Sequence, residues 1–162
     1  LEYAASYKDG PIAIRYPRGT ANCEITEDYS FTPGKALQLD KQGEVALISA
    51  GDSLSLAQKV HAKLAEKGLQ ARLIDLVSLK PLDEELLLEL GRNCHHIYTF
   101  ETNSILGGIG ATIAQLLATE PCKLQNFGYP DSFVPHGKIN LLNDLIGLEP
   151  EALAEQILKQ NQ

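Results

Sequence analysis

The chain has 162 residues, 44% of them hydrophobic and 22% charged, with a net charge of −7. That length supports one hydrophobic core and a short extra segment, as in an ordinary soluble globular protein. Acidic residues spread along the chain argue against a nucleic-acid partner. The apolar runs fall far short of the ~18 residues of a membrane helix, and Glu2, Tyr3 and Lys8 interrupt any signal-peptide core.

Cys23, Cys94 and Cys122 form no CxxC pair, which predicts reduced thiols in a cytoplasmic protein. The sequence contains no methionine and begins at Leu1, inside a stretch, "LEYAASY", that reads as a helix. The expectation is that further sequence precedes it.

In chain order, that helix end is followed by an apolar run, Pro11 to Ile14, which reads as a buried strand. The run ends in Arg15 and Arg18, with Pro17 and Gly19 around the second arginine. Residues 32–43, with Pro33, Gly34, Gly43 and mixed charges, read as a linker. "EVALISAG" is then a buried strand ending at Gly51. Asp52 and Ser53 are candidate caps for a helix with Leu54, Ala57, Val60 and Leu64 on one face, stopped by Gly68. "ARLIDLVSL" is the next strand. Asp83 is the expected cap of a helix with Glu84 and Glu85 in its first turn and Leu82, Leu86, Leu87 and Leu90 as its apolar stripe.

"HHIYTFE" is a third strand. A loop with Gly107, Gly108 and Gly110 leads into a helix bearing Ile109, Ile113, Leu116 and Leu117. "KLQNFG" is a fourth strand. Ile139, Leu142 and Ile146 mark another helix, and Pro150 suits the first turn of a last one. Strands alternating with helices predict an α/β fold, a mostly parallel sheet with helices on both faces, preceded by the tail of a second α/β domain.

The candidate chemistry is sparse. An arginine at the end of a strand suits an anion, because open α/β sheets present ligands there and guanidinium matches phosphate or carboxylate. Pro17 and Gly19 would stiffen and turn the chain around Arg18. The alternative is two surface arginines in a turn. The glycine-rich loop lacks Walker and Rossmann spacing, so its glycines are expected to serve packing. Glu101 is expected to hydrogen-bond that loop. Cys94, His95 and His96 alternate across a strand and cannot converge on one metal. His61 reads as a boundary residue, and His136 as a structural histidine bonded to backbone.

"GPIAIRYPRG", "SLKPLDEELL", "YTFETNSILGGIGATIAQ" and "YPDSFVPHG" occur in the same order in the 1-deoxy-D-xylulose-5-phosphate synthases, a transketolase-like family, and the chain resembles that family over nearly its whole length. The resemblance implies a complete enzyme that condenses pyruvate with glyceraldehyde 3-phosphate and releases carbon dioxide, on the route to isoprenoid, thiamine and pyridoxal precursors. It implies thiamine diphosphate and Mg2+ as cofactors and a cytoplasmic homodimer. By the same resemblance, residues 1–31 end a pyrimidine-binding central domain, 32–43 link, and 44–162 form the C-terminal domain, a scaffold and dimer contact.

Arg18 matches the family's arginine that contacts the substrate phosphate. Arg15 matches no such role and is expected to bond backbone or an acidic neighbour. The family's diphosphate- and magnesium-binding motif, its activating glutamate and its catalytic histidines have no counterpart here. No catalytic residue and no cofactor or metal ligand is therefore expected in this chain, which should be inactive alone. The alternatives are a free-standing dimerisation module, an anion-binding module using Gly107 to Gly110, or one subunit of a split enzyme.

Overall fold

Four consecutive residues, Val45 to Ile48, are all buried, yet they face two different cores. Val45 and Leu47 join one cluster, Ala46 and Ile48 the other. Period-two alternation in a strand apolar on both sides demands a layer of helices on each face. The computed structural model describes residues 1–16 and 31–161 and shows that arrangement.

Five strands, β1 (Leu37–Asp40), β2 (Val45–Ser49), β3 (Arg72–Asp75), β4 (His96–Ser104) and β5 (Lys123–Tyr129), form one sheet in the order β1-β3-β2-β4-β5. β2 pairs in parallel with β3 and β4, and β4 in parallel with β5. β1 runs antiparallel to β3, with Leu37 opposite Asp75 and Asp40 opposite Leu73. The helices are α1 (Glu2–Ser6), α2 (Leu54–Glu66), α3 (Glu84–Asn93), α4 (Ile109–Leu116), α5 (Ile139–Leu145) and α6 (Pro150–Gln160).

On one face, Ala57, Val60 and Leu64 of α2 and Leu153, Ala154 and Ile157 of α6 pack over Leu47, Tyr98, Phe100 and Phe127. On the other, Leu87 and Leu90 of α3 and Ile113 of α4 cover Ile48, Ile74 and Ile97. The expected stripes of α2, α3 and α4 are the ones turned to the sheet, whereas on α5 Leu142 and Ile146 are half-buried and Ile139 is 69% exposed. Lys63 of α2 and Lys67 just after it both reach Glu151, clamping α2 to α6. Asp83 caps α3 by accepting from Leu86 N at 3.3 Å, and Glu149 caps α6 from Ala152 N at 3.0 Å.

Two expectations need correction. Residues 11–16 form no strand, and Ile12 and Ile14 are 43% and 49% exposed. A strand exists through its ladder, and no described strand pairs with this one. Conversely, the stretch read as a linker contains β1. The sheet accepts Leu37–Asp40 along the open side of β3, where the short segment gains hydrogen bonds that its own composition does not announce.

Candidate functional site

The chain passes from β2 to β3 on one side of β2, then to β4 on the other. The carboxyl ends of β2 and β4 therefore flank the point where strand order reverses, the place where open α/β sheets leave a crevice for ligands. A cleft of about 320 Å³ lies there. Asp52 and Ser53, just after β2, line it together with Glu101 and Thr102 of β4, Tyr129 of β5, Asn143 of α5 and Arg15 from the N-terminal segment.

Local hydrogen bonds fix most of these groups. Ser53 donates its hydroxyl to Phe100 O at 2.6 Å and accepts from Ala50 N at 3.1 Å, tying the two strand ends together. This differs from the expected helix cap: residues 51–53 form a 3-10 turn, and Ser53 bonds backward to the strands. Thr102 donates to Asp52 Oδ1 at 2.7 Å. Tyr129 donates to Asn143 Oδ1 at 3.1 Å, fastening α5 to β5. Among the described residues, Asp52 Oδ2, the Asn143 amide group and the Arg15 guanidinium have no hydrogen-bond partner.

Glu101 is 3% exposed. Its two oxygens accept from Ile109 N at 2.9 Å and Gly110 N at 3.1 Å, the first amides of α4. A carboxylate belongs at the positive end of a helix. A side chain on Gly108 would overlap this carboxylate, and one on Gly110 would come within 2.5 Å of Thr99 Oγ1. The glycine-rich loop thus packs around an internal anion, as expected of both the loop and Glu101. Its amino end is already filled.

Asp75, at the carboxyl end of β3, was not singled out in the sequence. It is 9% exposed, and its Oδ1 is the one buried side-chain oxygen or nitrogen without a partner among the described residues. Burial pushes its carboxyl up to about 6. Its position as the last residue of a strand between two others was the available signal. Burial likewise raises the Cys94 thiol to about 11.

The remaining expectations sort plainly. Arg18 and Cys23 lie outside the described residues. Arg15 bonds neither backbone nor an acidic side chain among the described residues; its side chain is exposed and borders the cleft. His61 Nε2 meets Ala71 O at 2.8 Å and Asp40 at 3.3 Å, a boundary role. His136 is exposed, and no described residue bonds it, so the expected backbone bond is not made. No group of three or more His, Cys, Asp or Glu side chains gathers for a metal among the described residues. A second hollow, about 400 Å³, borders His96, Tyr98, Gln125 and Gln160 at the amino ends of β4 and β5. Its polar groups bond one another: Tyr98 donates to Gln160 at 2.8 Å, and Gln160 donates to Gln125 at 3.0 Å.

A mostly parallel sheet of this order, with a crevice at its strand ends, is the architecture of transketolase-type domains. The chain belongs to the transketolase, C-terminal domain family, which matches residues 34–153. Its curated relatives are named 1-deoxy-D-xylulose-5-phosphate synthase. That of Chlorobaculum tepidum is 39% identical over 97% of this chain and 26% of its own length. That of Clostridium tetani is 33% identical over 98% of this chain and again 26% of its own. The chain thus spans about a quarter of these relatives.

Among solved structures, a split-gene transketolase in an inactive β4 tetramer is 29% identical, with a TM-score of 0.76 over 83% of this chain and 45% of that one. A transketolase of Pichia stipitis, at 21% identity and a TM-score of 0.57, shares the fold. Such enzymes depend on thiamine diphosphate. The described residues do not fit that cofactor: they gather no metal ligands, and Glu101 occupies the α4 amino end that would suit a diphosphate.

Proposed function

We propose that this chain is the C-terminal part of a 1-deoxy-D-xylulose-5-phosphate synthase. The whole enzyme condenses pyruvate with glyceraldehyde 3-phosphate, with loss of carbon dioxide, as a cytoplasmic homodimer. Thiamine diphosphate and Mg2+ bind in the rest of the protein and supply the carbon–carbon chemistry. Residues 1–31 end the central domain, and residues from 44 onward form a scaffold and dimer contact. The chain alone is inactive.

One observation carries this reading. The relatives match 97–98% of the chain, beyond the shared domain at 34–153, so the likeness includes the segment that bears "RYPRG". In that segment Arg18 holds the substrate phosphate. A guanidinium fixed on the phosphate aligns the aldehyde end for reaction, a gain in positioning. Steady-state kinetics of the full-length enzyme test it. Arg18→Ala should raise the KM for glyceraldehyde 3-phosphate by at least tenfold and leave that for pyruvate within twofold; equal losses refute the role.

The second reading, one subunit of a split transketolase-like enzyme, is favoured by the likeness to the split-gene structure. Affinity purification from the source cell separates the two. A larger polypeptide carrying this sequence supports the first, and a separate partner chain the second.

A further inference from the structure

Cys94 and Cys122 stand at the entries of two neighbouring parallel strands. β4 and β5 run in register with His96 opposite Lys123. The ladder continues one step back, where Lys123 N donates to His95 O at 2.9 Å. That register sets Cys122 beside His95, and so one residue out of step with Cys94, whose backbone is already extended (φ −107°, ψ 138°). Strands lie about 4.8 Å apart and rise about 3.3 Å per residue, which places the two Cα atoms about 6 Å apart. A disulfide spans about 4.4–6.8 Å between Cα atoms. Both side chains turn to the same face of the sheet: Cys94 belongs to the core beneath α3 and α4, and Cys122 packs against that core. Both thiols are free. Their access differs. Cys94 is 3% exposed, whereas Cys122 is half-buried and is the one a small solute meets first.

We propose that Cys94 and Cys122 form an oxidisable dithiol, a modification site that closes into a disulfide when a peroxide reaches it. The Cys122 thiolate attacks one peroxide oxygen. The O–O bond breaks, the leaving oxygen takes a proton, and Cys122 becomes a sulfenic acid. The Cys94 sulfur then attacks Cys122 Sγ, the S–O bond breaks, and water departs with the proton of Cys94. In sum, two thiols give two electrons and two protons to one peroxide. Burial raises both thiols, which slows each step. Side-by-side placement offsets this in the second step, because that step is intramolecular. The link joins the starts of β4 and β5 and closes a loop that carries Glu101 and α4. It does not depend on the reading of the whole enzyme.

The test is peptide mapping of the full-length protein after hydrogen peroxide at neutral pH, with iodoacetamide then added in urea. Cys94 and Cys122 should escape alkylation and appear as one linked pair, roughly tenfold above the untreated level. Dithiothreitol should restore both to labelling. Alkylation of both cysteines after peroxide, a link from Cys122 to Cys23 in place of Cys94, or Cys122 driven to sulfinic acid beside a reduced Cys94 overturns the pairing. The mapping needs no substitution, so it decides the matter even where a variant misfolds.

Two variants test the order of the steps. In Cys94→Ala, dimedone should trap Cys122 as its sulfenic acid, about fivefold more than in the parent, where ring closure competes. In Cys122→Ser, Cys94 should stay reduced at the same peroxide dose. Equal trapping in parent and Cys94→Ala, or oxidation of Cys94 at the parent's rate in Cys122→Ser, refutes the mechanism.

Discussion

Glu101 and Gly108 are in contact so close that the carboxylate fills the space a methyl group on Gly108 would need. The pair explains a glycine-rich loop without any ligand. The helix amides that would otherwise seek an external anion are met by a side chain from the neighbouring strand, at 2.9 and 3.1 Å. Glu101→Ala should therefore leave one buried and one half-buried amide unmet and cost about 1–3 kcal/mol. Gly108→Ala should destabilise as well, because it pushes the carboxylate off those amides. Urea denaturation of the three proteins checks both, and an unchanged midpoint in either variant contradicts the arrangement.

Asp75 gives stability a pH dependence of unusual sign. Its folded carboxyl is raised from the ordinary 3.8 to about 6, so the folded state holds this proton more tightly than the unfolded chain. Stability linked to Asp75 is fully present below pH 4 and falls as pH rises to about 6. The loss is on the order of 2–3 kcal/mol above that range. Asp75→Asn removes the titration. Its stability relative to the parent should climb between pH 4 and 7 and then level off; a flat difference across pH would refute the assignment.

The two cores should be equally sensitive. Ile157 and Ile113 are fully buried on opposite faces of the sheet. Replacing either with Ala removes apolar contact and leaves a cavity, at about 2–5 kcal/mol. Leu145 on α5 is 66% exposed, and Leu145→Ala should change stability by no more than about 0.5 kcal/mol. Chemical denaturation orders the three.

Cys94 should be a slow thiol. It is 3% exposed, and burial raises its thiol to about 11, so little thiolate is present near neutrality. Mass spectrometry after iodoacetamide at pH 8 should find Cys94 unmodified in the folded protein and modified once urea is added. Rapid labelling without denaturant would contradict its burial.

Much of this was legible because local signals agreed with one another. The α2 stripe, the Asp83 cap and the Pro150 start each combine a period with a terminus, and each falls where expected. β1 was not legible, because "LQLD" sits between Pro33, Gly34 and Gly43 and becomes a strand only when β3 supplies a ladder. The cleft was half legible. Glu101 and the arginine turn stood out by residue type, but Thr102 meets Asp52 across 50 positions of sequence, a pairing that only the sheet order creates. His136 failed for the opposite reason: its loop holds no backbone against it.

The direction of β1 sets where the residues just ahead of it lie. With Leu37 opposite Asp75, the first strand starts level with the finish of its neighbour, so the polypeptide is delivered to the same rim on which the crevice opens. Had β1 run the other way, its entry would have fallen at the far rim, about 10 Å or more distant. One reversed edge thus brings the residues that lead into β1 and the ends of the parallel strands to a common doorway.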